Sequence, residues 1–313
     1  MSPIGSQVES LCAASRRDVV LVAPFVNGGV LRRLLSLVNP GVALRCVTRW
    51  RPDEIAAGYN DLEIWPLLRE RPCSSLWLRP DLHAKYYRAD AIALVGSANM
   101  TSAGFGWSAA ANLEFLAEID GLGAAAADFE TELFCGSVEV DDSVYAAVAE
   151  AVDALPRDRF KNAPAGNGFT PKTDQQPPSR PSLWVPILRS PEDLYPAYVG
   201  KTEGLTTASR EAANVDLAAF AVPPGLARGE FAHYIGSLLL QKPIVHRIDT
   251  FVAIPRLFGA VTALLSTLPC AEAPDFDADR VWQTLMRWLR FFLPGRYTLN
   301  VPRYSEIFAR SGK

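Results

Sequence analysis

In the stretch DLHAKYYRADAIALVGSANMTSAGF, residues 81–105, His83 and Lys85 stand two places apart, and Ser97 and Asn99 repeat that spacing further on. Side chains at i and i+2 of an extended segment point to one face. Each pair therefore projects together, and a tight turn near Ala89 and Asp90 would make the two segments antiparallel neighbours. A loop of odd length would set His83 directly across from Ser97 and bring all four side chains together. That set combines a nucleophile or base, a fixed cation and two neutral hydrogen-bond donors. It suits a tetrahedral phosphate, whose non-bridging oxygens need charge and donors while an imidazole attacks phosphorus or moves a proton. Glu114, in NLEFLAEID, falls on a further strand that could lie alongside. A carboxylate behind an imidazole fixes its tautomer and raises its basicity.

The elements that must position these residues read as alternating strand and helix. The apolar run DVVLVAPFV (18–26) predicts a strand buried on both faces. NGGVLRRLLSLV predicts a helix capped by Asn27, with Val30, Leu31, Leu34, Leu35 and Val38 on one face. A second strand (41–50) and a helical region opened by Pro52 and broken at Pro66 follow. SSLWLRP and HAKYYRADAIALVGSAN then supply three short strands, and 112–120 supplies another. Alanine-rich helical segments run to about Leu155. This order implies an α/β fold, a mixed β-sheet flanked by helices. Residues 156–181 are rich in Pro, Gly and polar residues and read as a linker between a domain at 1–155 and a smaller α+β region at 182–313. In that second region SLWVPILR, VDLAAFAVP and PIVHRIDTFVAIP look strand-like, while GEFAHYIGSLLLQ and PDFDADRVWQTLMRWLRFF look helical.

Composition narrows the classes. With 313 residues, 49% hydrophobic and 21% charged, the chain fits a soluble two-domain protein. No apolar run is long enough to span a bilayer, and the N-terminus lacks a basic-then-apolar leader. The five cysteines are scattered without C-x-x-C spacing, which favours a reduced, cytoplasmic protein and argues against a zinc site. The net charge of −3 hides an asymmetry: residues 16–88 hold 12 Lys and Arg against 7 acids, whereas 89–155 hold 12 acids and neither Lys nor Arg. Ordinary solvated faces are the usual reading of such an asymmetry; the sharper one is that the segment leading into His83 offers a locally positive surface for an anionic substrate.

The combination of His83, Lys85 and Asp90 with Gly96, Ser97, Asn99 and Thr101, followed by Asn112 and Glu114, resembles the phospholipase D superfamily over roughly residues 15–155. The resemblance implies that His83 forms a phosphohistidine. Lys85, Ser97 and Asn99 would bind phosphoryl oxygens, Glu114 would orient His83, and Asp90, Gly96 and Thr101 would be structural. It implies no metal and no cofactor. The chain carries one motif where many members carry two. Single-motif members resemble small nucleases in which a symmetric dimer joins two half-sites, so a homodimer with His83 of both copies at the two-fold axis is expected.

The expected activity is therefore metal-independent cleavage of DNA or RNA, in a setting such as restriction or phage defence, with residues 182–313 recognising substrate or a partner protein. Hydrolysis of a phospholipid or other phosphodiester, and a silent binding scaffold, are the alternatives. Arg49 and Trp107 are candidate substrate contacts, each with an ordinary packing or solvated reading beside it. His233 and His246 lack neighbouring motifs and read as ordinary core or surface histidines. The arginines and aromatics of 280–292 would suit phosphate contact and base stacking, but read first as an amphipathic helix packed in a core with its arginines on the wet face.

Overall fold

The computed structural model describes residues 4–160, 184–268, 271, 276–302 and 305–311. The chain divides into two compact units, Met1–Ala165 and Gly166–Lys313. Most of the expected linker, residues 161–181, lies outside the described residues.

The first unit runs α1 (Ile4–Ala14), β1 (Asp18–Val22), α2 (Gly28–Leu35), β2 (Ala43–Thr48), α3 (Pro52–Ala56), α4 (Ile64–Arg69) and β3 (Ser74–Leu78). It continues with β4 (Tyr86–Ala89), β5 (Ile92–Gly96), β6 (Leu116–Asp120), α5 (Ala124–Cys135), β7 (Val138–Glu139), α6 (Asp142–Ala154) and α7 (Arg157–Phe160). Its fold is α/β. The seven strands form one mixed sheet in the order β6-β5-β4-β1-β2-β3-β7. β1, β2 and β3 are parallel, joined by helical crossovers, and the β4–β5–β6 meander adds antiparallel strands beside β1.

β1 sits at the centre and explains its unbroken apolar run. Val20 and Val22 pack with Val47, Leu82 and Tyr86 against Ala126 and Leu133 of α5. Val19 and Leu21, of opposite parity, are also buried, so both faces of the strand are covered. α2 begins as its sequence suggests, with the Asn27 side chain accepting the Val30 N–H. The region after Pro52 differs from expectation. It forms two short helices separated near Gly58, and Pro66 stands in the first turn of α4, where its missing N–H has no intrahelical acceptor to lose.

The second unit contains α8 (Leu194–Tyr198), α9 (Thr207–Phe220), α10 (Arg228–Leu240), α11 (Pro243–Phe251), β8 (Arg256–Leu257), α12 (Phe258–Leu265), α13 (Ala278–Phe292), β9 (Tyr297–Asn300) and β10 (Ile307–Arg310). Its three strands make a small antiparallel sheet in the order β8-β10-β9. The three expected strand segments are corrected: 184–189 is irregular, VDLAAF belongs to α9, and PIVHRIDTF is α11. Short apolar runs do not distinguish a strand from a buried helix face. α13 buries Trp282, Leu285, Trp288, Leu289 and Phe292, and Trp288 donates to the Leu188 carbonyl at 2.7 Å. Among the described residues no helix is long and apolar enough to cross a membrane.

Candidate active site

His83 lies in residues 79–85, which carry the chain from β3 to β4 outside the strand ladder. Buried Leu82 anchors the segment, and its N–H donates to the Arg79 carbonyl at 3.1 Å. His83 is exposed and Lys85 half-buried. The Lys85 ammonium folds back to donate to the His83 carbonyl at 2.8 Å. Its charge is the main influence lowering the His83 pKa below the ordinary histidine value, with partial burial and then Arg49 adding to the effect. These influences disfavour the protonated imidazole, and a nucleophile or base acts in the uncharged form. Lys85 is itself lowered, by burial first and by Arg49, while Glu114 opposes that shift.

The β4–β5 hairpin turns through two residues, Asp90 and Ala91, with Ala89 opposite Ile92 and Tyr86 opposite Val95. This even loop corrects the expected register by one position. Continued past the ladder, it sets Ala84 rather than His83 opposite Ser97, and Lys85 opposite Gly96, whose N–H donates to the Lys85 carbonyl at 3.3 Å. Asp90 takes the left-handed conformation, φ 51°, which aspartate tolerates better than most residues. Its carboxylate accepts the backbone N–H groups of Arg16, Arg17 and Asp18 at 2.9, 2.9 and 3.1 Å. Asp90 therefore ties the hairpin tip to the start of β1.

Ser97 joins the far side of the site. Its Oγ donates to the Glu114 carboxylate and accepts the Phe115 N–H at 3.2 Å, and its own N–H donates to the Phe115 carbonyl at 3.0 Å. Asn112 donates to the other Glu114 oxygen at 3.1 Å. The expected placement of Glu114 behind His83 is thus corrected: the hydrogen bonds of its carboxylate run to Ser97 and Asn112. The change of register accounts for it, because Ser97 and not His83 faces this loop. Gly96 is required here, since a Cβ would lie 1.9 Å from the Phe115 carbonyl oxygen. The segment after β5 is pinned by the Tyr87 hydroxyl, which donates to the Ala98 carbonyl at 2.6 Å. Asn99 has a buried Oδ1 without a hydrogen-bond partner among the described residues. Thr101 accepts the Gly104 N–H at 3.1 Å and so closes the turn beyond it.

Arg49 follows β2 and contributes charge to the environment of both His83 and Lys85. Trp107 is elsewhere. It packs against Gly5 and Phe105, with the Arg33 guanidinium 3.9 Å from its ring centroid. That packing on α1 corrects its reading as a substrate contact. His233 and His246 lie on α10 and α11 in the second unit. Two residues of this neighbourhood escaped the sequence reading. Glu54 pairs with Arg49. Buried Asn60 accepts the Val26 N–H and donates to the carbonyls of Pro24 and Arg49, each at 2.8 Å, stitching the ends of β1 and β2 together. Neither belongs to a spaced motif, and the Asn60 contacts to Pro24 and Val26 form only when the ends of β1 and β2 come together.

Among the described residues no group of three or more His, Cys, Asp or Glu could hold a metal ion. The arrangement offers an exposed imidazole with a cation on its own segment, and a serine hydroxyl paired with a carboxylate between β5 and β6. No family model and no curated protein matches the chain. Solved structures similar to it include the following two. NucT from Helicobacter pylori is 16% identical with a TM-score of 0.35, covering 43% of this chain and 89% of that one. Nuc from Salmonella typhimurium, described as a phospholipase D family member, is also 16% identical with a TM-score of 0.35, covering 44% of this chain and 90% of that one.

Proposed function

We propose that this chain is a phosphodiesterase of the phospholipase D kind, a nuclease that cuts DNA or RNA through a phosphohistidine and needs no metal. The observation that carries the reading is the exposed His83 with the Lys85 ammonium 2.8 Å from its carbonyl, while Ser97 and Glu114 pair with each other between β5 and β6. His83 attacks phosphorus, forming the P–N bond as the P–O bond to the leaving alcohol breaks. A second imidazole, which enters the step protonated, supplies the proton that the leaving oxygen takes. Water then attacks phosphorus, losing its proton to that second imidazole, and the P–N bond breaks. Lys85 and the donors Ser97 and Asn99 stabilise the charge that builds on the non-bridging oxygens.

The first unit contains one histidine, so the second imidazole is His83 of another copy, and the active form is a homodimer with the two-fold axis at the site. A second unit joined to such a nuclease suits recognition of a sequence or a partner protein, as in restriction or phage defence. Phospholipid hydrolysis is the second reading. It is favoured by fully exposed Leu113 and exposed Phe115 on either side of Glu114.

The test is incubation with single- and double-stranded DNA and RNA in excess EDTA, beside His83→Ala and beside mixed phospholipid micelles. Cleavage of a nucleic acid that survives EDTA and falls at least ~10³-fold in the variant is expected. Cleavage that requires a divalent metal, or that persists in His83→Ala, overturns the mechanism. Turnover of the micelles alone moves the substrate to lipid.

A further inference from the structure

The guanidinium of Arg49 is committed on two sides. Glu54 of α3, only 8% exposed, takes one edge of the fork, with Nε donating to Oε2 at 3.0 Å and Nη2 to Oε1 at 2.5 Å. Nη1 donates to the Leu82 carbonyl at 3.2 Å. The guanidinium carbon also lies 5.3 Å from the Phe25 ring centroid. The Leu82 carbonyl belongs to the peptide that leads into His83, and the carbonyl of His83 receives Lys85. The peptides on both sides of the His83 Cα are therefore each held by a cation. This is the stretch that has no ladder partner, because β4 begins only at Tyr86.

Resting on the phosphodiesterase reading, we propose that the Arg49–Glu54 pair is a positioning device for the nucleophile: Glu54 fixes the guanidinium fork, and the fork holds the peptide that presents His83. This reassigns Arg49 from a substrate contact. A guanidinium neutralised by a buried bidentate carboxylate is a weaker attractor for a phosphate than the Lys85 ammonium, but it is a rigid strut. Burial pushes Glu54 upward, and the Arg49 charge and hydrogen bond oppose this, so each member of the pair depends on the other. The charged groups around His83 are Lys85 on its own segment, Arg49 at the end of β2 with Glu54 behind it on α3, and Glu114 before β6 acting on Lys85. Arg79 and Asp81, at the start of the segment, pair with each other at 2.5 Å.

Kinetics and a substrate-free titration together test the proposal. Arg49→Lys keeps a cation for Glu54 but cannot bridge Glu54 and the Leu82 carbonyl with a planar fork, and Glu54→Gln releases the fork. Both are expected to lower kcat at least ~10-fold with KM changed less than ~3-fold. A raised KM with kcat unchanged would make Arg49 a phosphate contact. Unchanged kcat and KM would leave the pair merely structural. Either result overturns the proposal. Should Glu54→Gln fail to fold, Arg49→Lys retains the ion pair and still decides.

The titration follows His83 by NMR, its resonance identified among the three histidines by its loss in His83→Ala. Arg49→Met combined with Glu54→Gln leaves no unpaired buried charge. Through the titration its His83 ring resonances are expected to be displaced from the wild-type curve as the segment loosens, and a curve that superimposes on the wild type overturns the proposal. This measurement needs no substrate. A chain without His83-dependent cleavage would fail the phosphodiesterase reading while the titration still judged the contact between Arg49 and the His83 segment.

Discussion

At the scale of single residues, the chemistry depends on protonation. In the proposed mechanism His83 attacks uncharged, so the acid limb of kcat/KM should follow its titration. Lys85 and Arg49 hold that pKa below the ordinary histidine value, so activity should persist to lower pH than an unperturbed imidazole would allow. Lys85→Met removes the larger of the two charges. It should move the limb to higher pH and lower kcat by about 10²–10³-fold, as loss of a donor to the developing charge does elsewhere. A pH–rate profile of both proteins checks the direction. A limb that stays in place would mean that Lys85 does not face the imidazole in solution.

At the scale of elements, the site hangs on a hairpin whose tip is tied to β1. Burial works to raise the Asp90 pKa, but three backbone N–H donors and the Arg17 charge outweigh it and hold the carboxyl below its ordinary value. A depressed carboxyl contributes stability above the unfolded-state value and loses it as pH falls through the folded-state value. Asp90→Ala removes the acceptors and places a Cβ residue with no compensating side chain at positive φ. About 1–2 kcal/mol of destabilisation at pH 7 is expected, the hydrogen-bond part discounted for solvent screening. Asp90→Gly should recover the backbone share, since glycine adopts that φ freely. Urea midpoints at pH 7 and pH 3 test this. The gap between wild type and Asp90→Gly should begin to shrink at pH 3, below the ordinary carboxylate value at which the unfolded chain takes up a proton. A gap that persists would mean that the charge is unimportant.

At the scale of the whole molecule, the proposed homodimer makes a quantitative statement. If each scission needs His83 from two copies, wild-type chains allowed to exchange with excess His83→Ala chains should lose activity as the square of the wild-type fraction. A linear loss would show that one chain acts alone, and sedimentation of the same mixtures would show whether dimers form. The exposed β6 edge and the Leu113–Phe115 segment stand beside Ser97 and Glu114 and would be open to a second copy or to substrate. Leu113→Ser should weaken the dimer if this face is the interface, and leave it intact if the segment meets substrate instead.

Much of the candidate site was legible in the sequence because its information is local. His83 with Lys85, and Ser97 with Asn99, are short-range spacings, and β1 declares its double burial by an unbroken apolar run. The buried helix face of α13 follows from its 3.6-residue period. What the sequence left open depended on a count of one residue or on distant neighbours. The hairpin could turn through two residues or three, and that choice moves Ser97 from His83 to Ala84 and sends Glu114 to Ser97. Short apolar runs in the second unit fit strand and helix equally well, and only packing made VDLAAF part of α9. Glu54 lies five residues from Arg49, yet its function is invisible without the Leu82 carbonyl, 33 residues on, which the fold alone brings to the same guanidinium. The residue types that could act on a phosphate were settled by the chain itself. Which of them face one another was decided by strand register, because a shift of one residue exchanges the faces of a sheet.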